Sequence, residues 1–518
     1  MILLINPPVT KPSEPPSGLA HLAGALAAHN IPYHVLDASL EGLIYLMDNQ
    51  VDACDTWTHR AIKNRDLNAA ILRNITSYAN QGKYKKSVLE INRLLGKASG
   101  ANGVRISLED YEDPLLSPVR TADLLDAANH PEKNLFYNYF SEFLPSLMNR
   151  LRPDHVGFSL SYLSQALCTF ALMGFVRSEF PQVKIVLGGS LITSWVNSPS
   201  WKNFFRNIVD HVISGPGEAP LLNLIGQSGE KPARHYRPVY DSFSNVEYFS
   251  PGRVIPYRTS TGCYWGRCTF CPETAEGNGY NQLSPKMVVQ ELQTLIKETK
   301  PALIHFTDNA ISPAVLKCLA ETPPGIPWYG FARVTNELTD QDFCAKLARS
   351  GCVMLKLGIE TGSQRVLDTM RKGSTVSLNS RTLKIVSQSG IATYVYLLFG
   401  TPGEDENEAR ATLDFVVEHG SCVDFMNVAI FNLPILSPDT AKLNLSSFYE
   451  GDLSLYANFT HPRGWDRKRV RRFLDKEFKR HPAIRPILQR QPPFFTSNHA
   501  AFFSRFFAGR TAGLSRTE

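Results

Sequence analysis

The sequence predicts an α/β protein: a doubly wound parallel sheet, then a partial (β/α)6 barrel, then a helical C-terminal region. Two observations predict this fold. Strand-like and helix-like segments alternate over residues 1–225, and six further strand–helix repeats follow over residues 251–440. A third observation concerns function, because three cysteines fall within nine residues directly after the first of those six strands. Folds of this class carry their ligand-binding loops at the carboxyl ends of parallel strands.

Composition places the chain among globular proteins without a membrane span. Its 518 residues are 43% hydrophobic and 20% charged, and the formal net charge is only +6. We therefore expect two to four domains and no nucleic-acid partner. No apolar run approaches the roughly 18 residues of a membrane helix, and Met1–Pro8 resembles a first strand more than a signal peptide. These features favour a cytoplasmic protein with no membrane partner.

The first 225 residues predict a parallel sheet whose strands end in loops rich in Pro, Gly and Ser. The predicted strands lie at Ile2–Ile5, Tyr33–Leu36, Asp154–Ser161, Val183–Gly188 and in the segment beginning at Asp210. A polar helical insertion at about 40–151 interrupts this pattern, either as a layer covering the sheet or as a cap over a ligand. A polar linker is expected at 226–250.

The barrel is predicted at 251–440, followed by a helical region at 441–518. Its six strands are expected near Val254–Ser260, Ala302–Asp308, Trp328–Val334, Val353–Glu360, Ala392–Gly400 and Phe425–Phe431. In the C-terminal region, Arg463–Arg480 is strongly basic and predicts either a solvated helix face or a docking site for an acidic substrate. Aromatic residues of Ala500–Phe507 are expected to pack on the barrel rather than on a membrane.

The cysteine triplet consists of Cys263, Cys268 and Cys271, with four residues between the first two and two between the last two. Thiolates this close reach one metal centre only if the backbone wraps it as a loop, and Gly262 and Gly266 allow such a path. We predict a [4Fe–4S] cluster held by three thiolates, whose fourth iron takes a small-molecule ligand. Structural zinc is disfavoured, because no fourth Cys or His lies nearby.

The remaining cysteines are scattered singly, as is typical of a reducing compartment. They are Cys54, Cys168, Cys318, Cys344, Cys352 and Cys422. Polar residues also end the other predicted barrel strands. Among them, Glu360 is suited to accept hydrogen bonds from a ribose diol, and Arg333 is suited to hold a carboxylate.

The chain resembles the radical S-adenosylmethionine (SAM) superfamily, in its branch with an N-terminal cobalamin-binding-type domain. The resemblance covers roughly residues 1–40 and 150–435. The motifs that carry it are Asn6-Pro-Pro, Pro15-Pro-Ser-Gly-Leu-Ala, Leu187-Gly-Gly, Gly215-Pro-Gly-Glu218, the cysteine loop, Gly358–Gly373 and Phe399-Gly-Thr-Pro-Gly-Glu404. It implies that the N-terminal sheet is Rossmann-like and of the cobalamin-binding type.

The resemblance also implies site residues and cofactors. The three cysteines would ligate the [4Fe–4S] cluster, SAM would chelate its fourth iron, Phe270 would lie near the adenine and Glu360 would contact the ribose. The full set of expected SAM-binding residues is Phe270, Asp308, Arg333, Glu360 and Ser363. Cobalamin would lie against Pro8, Ser17, Ser161, Gly188, Gly189 and Glu218.

The activity implied is reductive cleavage of SAM to a 5′-deoxyadenosyl radical, followed by cobalamin-dependent methyl transfer to an unactivated carbon. The expected partners are a small-molecule or peptide substrate and an electron donor such as flavodoxin or ferredoxin. One alternative is radical cyclisation or rearrangement without methyl transfer. Another is a non-catalytic iron–sulfur protein, which would have no need of Arg333 and Glu360.

Two features depart from the family pattern. The family spacing is C-x3-C-x2-C, whereas this loop is C-x4-C-x2-C, with the extra residue inside Tyr264–Arg267. We expect Gly266 to absorb it as a bulge. The D-x-H-x-x-G motif that supplies a histidine to cobalt is absent. Cobalamin would then bind without that histidine, or the domain keeps its fold and has lost the ligand.

Overall fold

Strands and helices alternate along most of the chain, as the sequence predicts. The computed structural model describes residues 1–49, 55–99, 103–227, 235–448, 450–493 and 499–503. Cys54 and residues 504–507 of the aromatic tail lie outside these ranges. The chain divides into two units, Met1–Ser250 with Tyr449–Leu455, and Pro251–Phe448 with Tyr456–Glu518.

The first unit is built on one parallel five-stranded sheet, in the order β2-β1-β5-β6-β7. Its elements are β1 (Ile2–Ile5), α1 (Ser17–Ala28), β2 (Tyr33–Leu36), α2 (Ala38–Asp48), α3 (Thr56–Lys63), α4 (Arg65–Arg73), α5 (Gln81–Ala98), β3 (Arg105–Ile106), β4 (Tyr111–Glu112), α6 (Thr121–Asn129), α7 (Tyr137–Leu151), β5 (His155–Ser159), α8 (Leu163–Glu179), β6 (Lys184–Gly188), α9 (Ser190–Asn197), β7 (His211–Val212) and α10 (Glu218–Leu224).

The strand order of this sheet reverses at β1. From β1 the chain moves first to β2 on one side and later to β5 on the other, which leaves a crevice between the loops that follow β1 and β5. All four residues of β1 are buried, as expected of a central strand covered by helices on both faces. The predicted doubly wound sheet is confirmed, and its switch point lies between β1 and β5.

The stretch predicted as a linker packs against the first unit in its described part. The Tyr248 hydroxyl donates to Asp37 Oδ2 at 2.7 Å, and the Val239 N–H donates to the Ala20 carbonyl at 2.9 Å. A Cβ on Gly24 would lie 2.0 Å from the Arg237 carbonyl oxygen, so helix α1 approaches this segment backbone to backbone. The reason is the buried aromatic side chains that the segment contributes, among them Tyr236, Tyr240 and Tyr248.

The second unit contains a six-stranded parallel sheet in the order β15-β14-β13-β12-β11-β8. Its elements are β8 (Val254–Tyr257), β9 (Ser260–Thr261), α11 (Pro272–Ala275), β10 (Asn281–Gln282), α12 (Pro285–Thr299), β11 (Leu303–Ile311), α13 (Pro313–Glu321), β12 (Trp328–Ala332), α14 (Gln341–Arg349), β13 (Cys352–Glu360), α15 (Gln364–Thr369), α16 (Val376–Gln388), β14 (Ala392–Phe399), α17 (Glu406–Glu418), β15 (Phe425–Ile430), β16 (Leu433–Pro434), β17 (Leu445–Ser447), β18 (Tyr456–Phe459), α18 (Arg467–Phe473) and α19 (Arg485–Arg490).

Each strand of this sheet pairs with the next one along the chain, which is the arrangement of a (β/α)6 partial barrel. Capping residues mark where its helices begin. Ser284 accepts the Met287 N–H at 3.3 Å with Pro285 at the first helical position, and Ser312 caps α13 in the same way. The predicted partial barrel is therefore confirmed.

The early residues of the barrel strands form a buried cluster with the described part of the tail. Tyr329, Met354, Tyr394 and Phe425 belong to this cluster together with Ala500. In addition to its helices, the C-terminal region contributes β17 and β18 to a small antiparallel sheet with β16, which directly follows β15. None of the helices in the described ranges is both long and apolar enough to cross a membrane.

Candidate functional site

The cysteine loop is closed at its base by a short antiparallel pair of strands. Ser260 and Thr261 of β9 pair with Gln282 and Asn281 of β10. Gly262 opens the loop with φ +69°, and a Cβ there would lie 2.6 Å from the Gly279 carbonyl oxygen. Glycine is therefore required at this position both by the backbone angle and by the close approach of the two loop arms.

Asp308 anchors the same base from the neighbouring strand β11. Its buried carboxylate accepts the Thr259 N–H at 3.1 Å, the Thr259 hydroxyl at 2.6 Å and the Ser260 hydroxyl at 2.7 Å. Asp308 was expected to bind SAM. In this structure its contacts are with the stem of the cysteine loop, where it fixes how that loop leaves the sheet.

The three cysteines of the loop differ in their surroundings. Cys268 is buried, and Cys263 and Cys271 are half-buried. Burial raises the pKa of the Cys268 thiol, against the opposing effect of the nearby Lys372 and Arg333 cations. Burial also raises the pKa of the Cys271 thiol, while the backbone N–H groups of Thr274 and Glu273 act to lower it.

These surroundings fit a ligand that binds thiolates. Metal ligation requires deprotonated sulfur, which cations and backbone N–H donors stabilise. In the described part of the chain, no three His, Cys, Asp or Glu side chains converge as the ligands of a single ion. A four-iron cluster binds each thiolate at a different iron, so its ligands stand farther apart than those of one ion. The donor set, three sulfurs of one loop, matches such a cluster.

Arg333, at the end of β12, lies against the loop. Its Nη1 donates to the Cys268 sulfur at 3.7 Å, and its Nη2 donates to the Lys372 carbonyl. Its guanidinium carbon is 4.4 Å from the centroid of the Trp265 ring. Arg333 was expected to hold a carboxylate; the contacts seen here tie it to the cysteine loop and to the turn after α15.

Glu360 and Lys372 form a buried ion pair beside this loop. The Lys372 Nζ lies 2.5 Å from Glu360 Oε1, and the two side chains are 8% and 10% exposed. Glu360 has φ +64°, an uncommon backbone conformation for a glutamate, where the pairing of β13 with β14 shifts register. A Cβ on Gly358 would meet both charged atoms, at 2.5 and 2.6 Å, so glycine leaves room for the pair.

The other two expected SAM-binding residues are Phe270, which lies near Lys372, and Ser363, which follows Glu360 in the chain. Phe270 is half-buried, with Lys372 Nζ 5.5 Å from its ring centroid. Ser363 is buried and caps α15, where its hydroxyl accepts the Val366 N–H at 3.4 Å. Trp265 and Lys372 were not among the site residues expected from the sequence. Trp265 lay in the segment marked by the irregular spacing, and Lys372 lay inside the Gly358–Gly373 motif.

The residues expected to bind cobalamin share one edge of the first unit's sheet. Pro8 follows β1, Ser161 follows β5, Gly188 ends β6 with Gly189 directly after it, and Ser17 and Glu218 begin α1 and α10. Gly189 has φ +115°, and a Cβ there would lie 2.3 Å from the Leu160 carbonyl oxygen. Small side chains thus let the backbone of adjacent strand ends come close together, which suits a flat ligand lying on the switch-point edge.

Comparison with known proteins finds a family match within the barrel. Residues 257–416 match the family model of the radical SAM superfamily. The anaerobic magnesium-protoporphyrin IX monomethyl ester cyclase of Rubrivivax gelatinosus is 27% identical over 170 residues, 31% of this chain and 29% of that protein. The cytidylyl-2-hydroxyethylphosphonate methyltransferase of Streptomyces wedmorensis is 27% identical over 222 residues, 39% of this chain and 41% of that protein. The matches thus span less than half of either relative.

Two solved structures share the fold over nearly the whole chain. The cobalamin-dependent SAM radical enzyme OxsB, with aqua-cobalamin and SAM bound, matches 98% of this chain and 71% of its own with a TM-score of 0.58 at 13% identity. The radical SAM methyltransferase TsrM of Kitasatospora setae, with cobalamin and a [4Fe–4S] cluster bound, matches 95% of this chain and 91% of its own with a TM-score of 0.53 at 15% identity. The chain therefore contains a radical SAM domain at residues 257–416 and has the fold of the cobalamin-dependent radical SAM enzymes.

Proposed function

We propose that the chain is a radical SAM enzyme in which Cys263, Cys268 and Cys271 hold a [4Fe–4S] cluster whose fourth iron binds SAM. The observation that supports this proposal is the cysteine loop itself. Its base is closed by the pairing of β9 with β10, and the Arg333 and Lys372 cations lie near its Cys268 thiol. When bound, the cluster would supply one electron, received from an external donor, for the reductive cleavage of SAM to methionine and a 5′-deoxyadenosyl radical.

The chain's own residues then bind and orient SAM. Glu360 is held in place by Lys372 at its Oε1, and we assign its Oε2 to the ribose hydroxyls. The half-buried ring of Phe270 lies beside the same lysine and offers an apolar face to the adenine. Because the Glu360–Lys372 pair is buried, the Glu360 carboxylate is already oriented before SAM binds.

For the reaction, we propose cobalamin-dependent methyl transfer to a carbon of a small molecule or peptide. Its support is the first unit's sheet, with Ser161, Gly188 and Gly189 at the edge beside the switch point. A corrinoid held there would supply the methyl group, which it would receive from SAM. The absence of a D-x-H-x-x-G motif favours binding without a histidine from that motif. A protein donor such as flavodoxin or ferredoxin would deliver the electrons.

A second candidate reaction is radical cyclisation without methyl transfer. It is favoured by the similarity of 170 residues to a protein named as a cyclase, at the same 27% identity as the methyltransferase match. Both candidates begin with the same SAM cleavage. They differ in whether the methyl group of SAM appears in the product.

The test is an anaerobic reconstitution of the full chain with iron and sulfide, with and without hydroxocobalamin. Iron content and the visible spectrum report the cluster and any retained corrinoid. After addition of dithionite and SAM, mass spectrometry measures 5′-deoxyadenosine. When the S-methyl group of SAM is labelled as CD3, the mass of the corrinoid shows whether that group has been transferred to it.

Each proposal has its own contrary outcome. A chain that carries its full cluster yet forms no 5′-deoxyadenosine would contradict the radical SAM activity. If 5′-deoxyadenosine forms and hydroxocobalamin is not retained after gel filtration, methyl transfer is contradicted and cyclisation or rearrangement is favoured. Retained corrinoid that acquires the CD3 group supports methyl transfer.

A further inference from the structure

Trp265, in the segment of the cysteine loop that contains the extra residue, packs its indole ring on the turn that follows α15. Gly266, with φ +57°, bends the chain between Cys263 and Cys268. The Trp265 Nε1–H donates to the Arg371 carbonyl at 2.9 Å, and close by the Thr269 N–H donates to the Met370 carbonyl at 3.0 Å. The loop is thus fastened to this turn on both sides of Cys268.

The turn is shaped to receive the ring. Gly373 has φ +74°, and a Cβ at this position would lie 2.1 Å from the Trp265 Cζ2. The indole therefore lies directly against the glycine backbone, at a distance that any other residue would prevent. This contact fixes the plane of the ring.

Arg333 lies with its guanidinium over the Trp265 ring. Its guanidinium carbon lies 4.4 Å from the indole centroid, while its Nη1 donates to the Cys268 sulfur at 3.7 Å. The Arg333 side chain has many rotamers, and the rigid aromatic face together with the Lys372 carbonyl selects one of them. The ring thus holds a positive charge and an N–H donor on one cysteine sulfur.

We propose that Trp265 is a positioning residue that holds the Arg333 guanidinium on the Cys268 sulfur and thereby raises the reduction potential of the cluster. This inference rests on the proposed cluster. Hydrogen bonds to cluster sulfurs and nearby positive charge favour the reduced state, which carries one more negative charge. The step concerned is transfer of one electron from an external reductant to the oxidised cluster, with no bond made or broken.

The test is a potentiometric titration of the reconstituted full chain, with dithionite as reductant and the EPR signal of the reduced cluster as the readout. We expect Trp265→Ala and Arg333→Met each to lower the midpoint potential. At a fixed potential near the midpoint, the ratio of reduced to oxidised cluster should fall about tenfold, or about 59 mV for a one-electron couple. The midpoint potential of the double variant should be no lower than that of Arg333→Met alone, because both changes remove the contact of Arg333 with the Cys268 sulfur.

Two further variants separate positioning from general disturbance of the loop. Trp265→Phe keeps an aromatic face under Arg333 and should stay close to the wild-type potential. Arg267→Gln removes the other cation near this ring, 5.2 Å from its centroid, and should shift the potential less than Arg333→Met. When Trp265→Ala incorporates too little iron to titrate, Trp265→Phe takes its place as the deciding variant. A midpoint potential of Trp265→Phe as low as that of Arg333→Met would overturn the proposal.

The remaining outcomes are distinct. A wild-type chain without iron or an EPR signal would contradict the proposed cluster itself. A normal wild-type cluster with an unchanged potential in Trp265→Ala, beside a lowered one in Arg333→Met, would overturn the role of Trp265. Unchanged potentials in both variants would overturn the role of Arg333 as well.

Discussion

The Lys372 ammonium pairs with the Glu360 carboxylate at 2.5 Å, on a strand residue whose backbone has φ +64°. The pair joins the end of β13 to the turn after α15. That turn also carries the carbonyls to which Trp265 and Arg333 donate. One buried ion pair therefore fixes both the expected ribose contact and the surface on which the cysteine loop rests.

We expect Lys372→Met to destabilise the barrel, because it leaves a buried carboxylate without its partner. Removing one member of a buried pair costs about 3–5 kcal/mol. Urea unfolding of the apoprotein measures the loss. The double variant Glu360→Gln/Lys372→Met is the matched control and should recover part of it. If the single and double variants are equally unstable, the pair is not the cause.

Cys268→Ala should abolish the cluster, because it removes the buried sulfur that faces both cations. Iron content and visible absorbance after reconstitution measure the result. Cys422→Ala is the control, since Cys422 is a free cysteine outside the loop, and it should load iron like the wild type. Full iron content in Cys268→Ala would refute the ligand assignment.

We expect Asp308→Ala to loosen the base of the cysteine loop. The change leaves three buried donors without their acceptor, the Thr259 N–H and the hydroxyls of Thr259 and Ser260. Each such donor costs about 1–3 kcal/mol. Both the free energy of unfolding and the amount of iron retained should fall. Asp340→Ala, which removes a helix cap elsewhere in the barrel, should reduce stability and leave iron retention unchanged.

Glu404 should make the stability of the barrel depend on pH. Burial raises the pKa of this carboxyl to about 8, although the Gly400 N–H and the Trp465 Nε1–H both donate to its Oε2. Between pH 4.5 and about 8 the unfolded chain loses this proton while the folded chain keeps it. Stability therefore falls as pH rises through that window, by up to about 1.4 kcal/mol per pH unit, and levels off above it.

Glu404→Gln removes this titration, so its stability relative to wild type should increase from pH 5 to about pH 8. Denaturation midpoints at several pH values measure the difference. Glu406→Gln, at an exposed position of α17, should show no such trend. A difference between Glu404→Gln and wild type that stays constant across this range would contradict the raised pKa.

The barrel was predictable because its strands are largely apolar and capped helices follow most of them. The predicted strand Trp328–Val334, for example, is observed as Trp328–Ala332, and Ser284 and Pro285 begin their helix as expected. The positive φ of Gly262 and Gly266 also followed from their place beside the cysteines. These features depend on short stretches of chain, where local preferences decide.

Contacts between distant segments were not predictable. The packing of Trp265 on Gly373 and Arg333 depends on how two loops meet, which no periodicity encodes. For the same reason the contacts of Asp308 with Thr259 and Ser260 at the loop stem were not foreseen, while its binding of SAM stays a prediction. Likewise the polar composition of 226–250 favoured a linker, whereas its tyrosines supply the buried contacts to the first unit.

The antiparallel pairing of β9 with β10 closes the cysteine loop without a metal. In small zinc domains, ligand residues come together only when the metal binds, so binding free energy is spent on folding. Here backbone pairing at Thr261 and Asn281 and the Asp308 anchor join the ends of the cysteine segment through protein contacts alone. The entropy of closing that segment is lost when the chain folds. We therefore expect the apoprotein to be folded, and we expect chelation to remove the cluster without unfolding the chain.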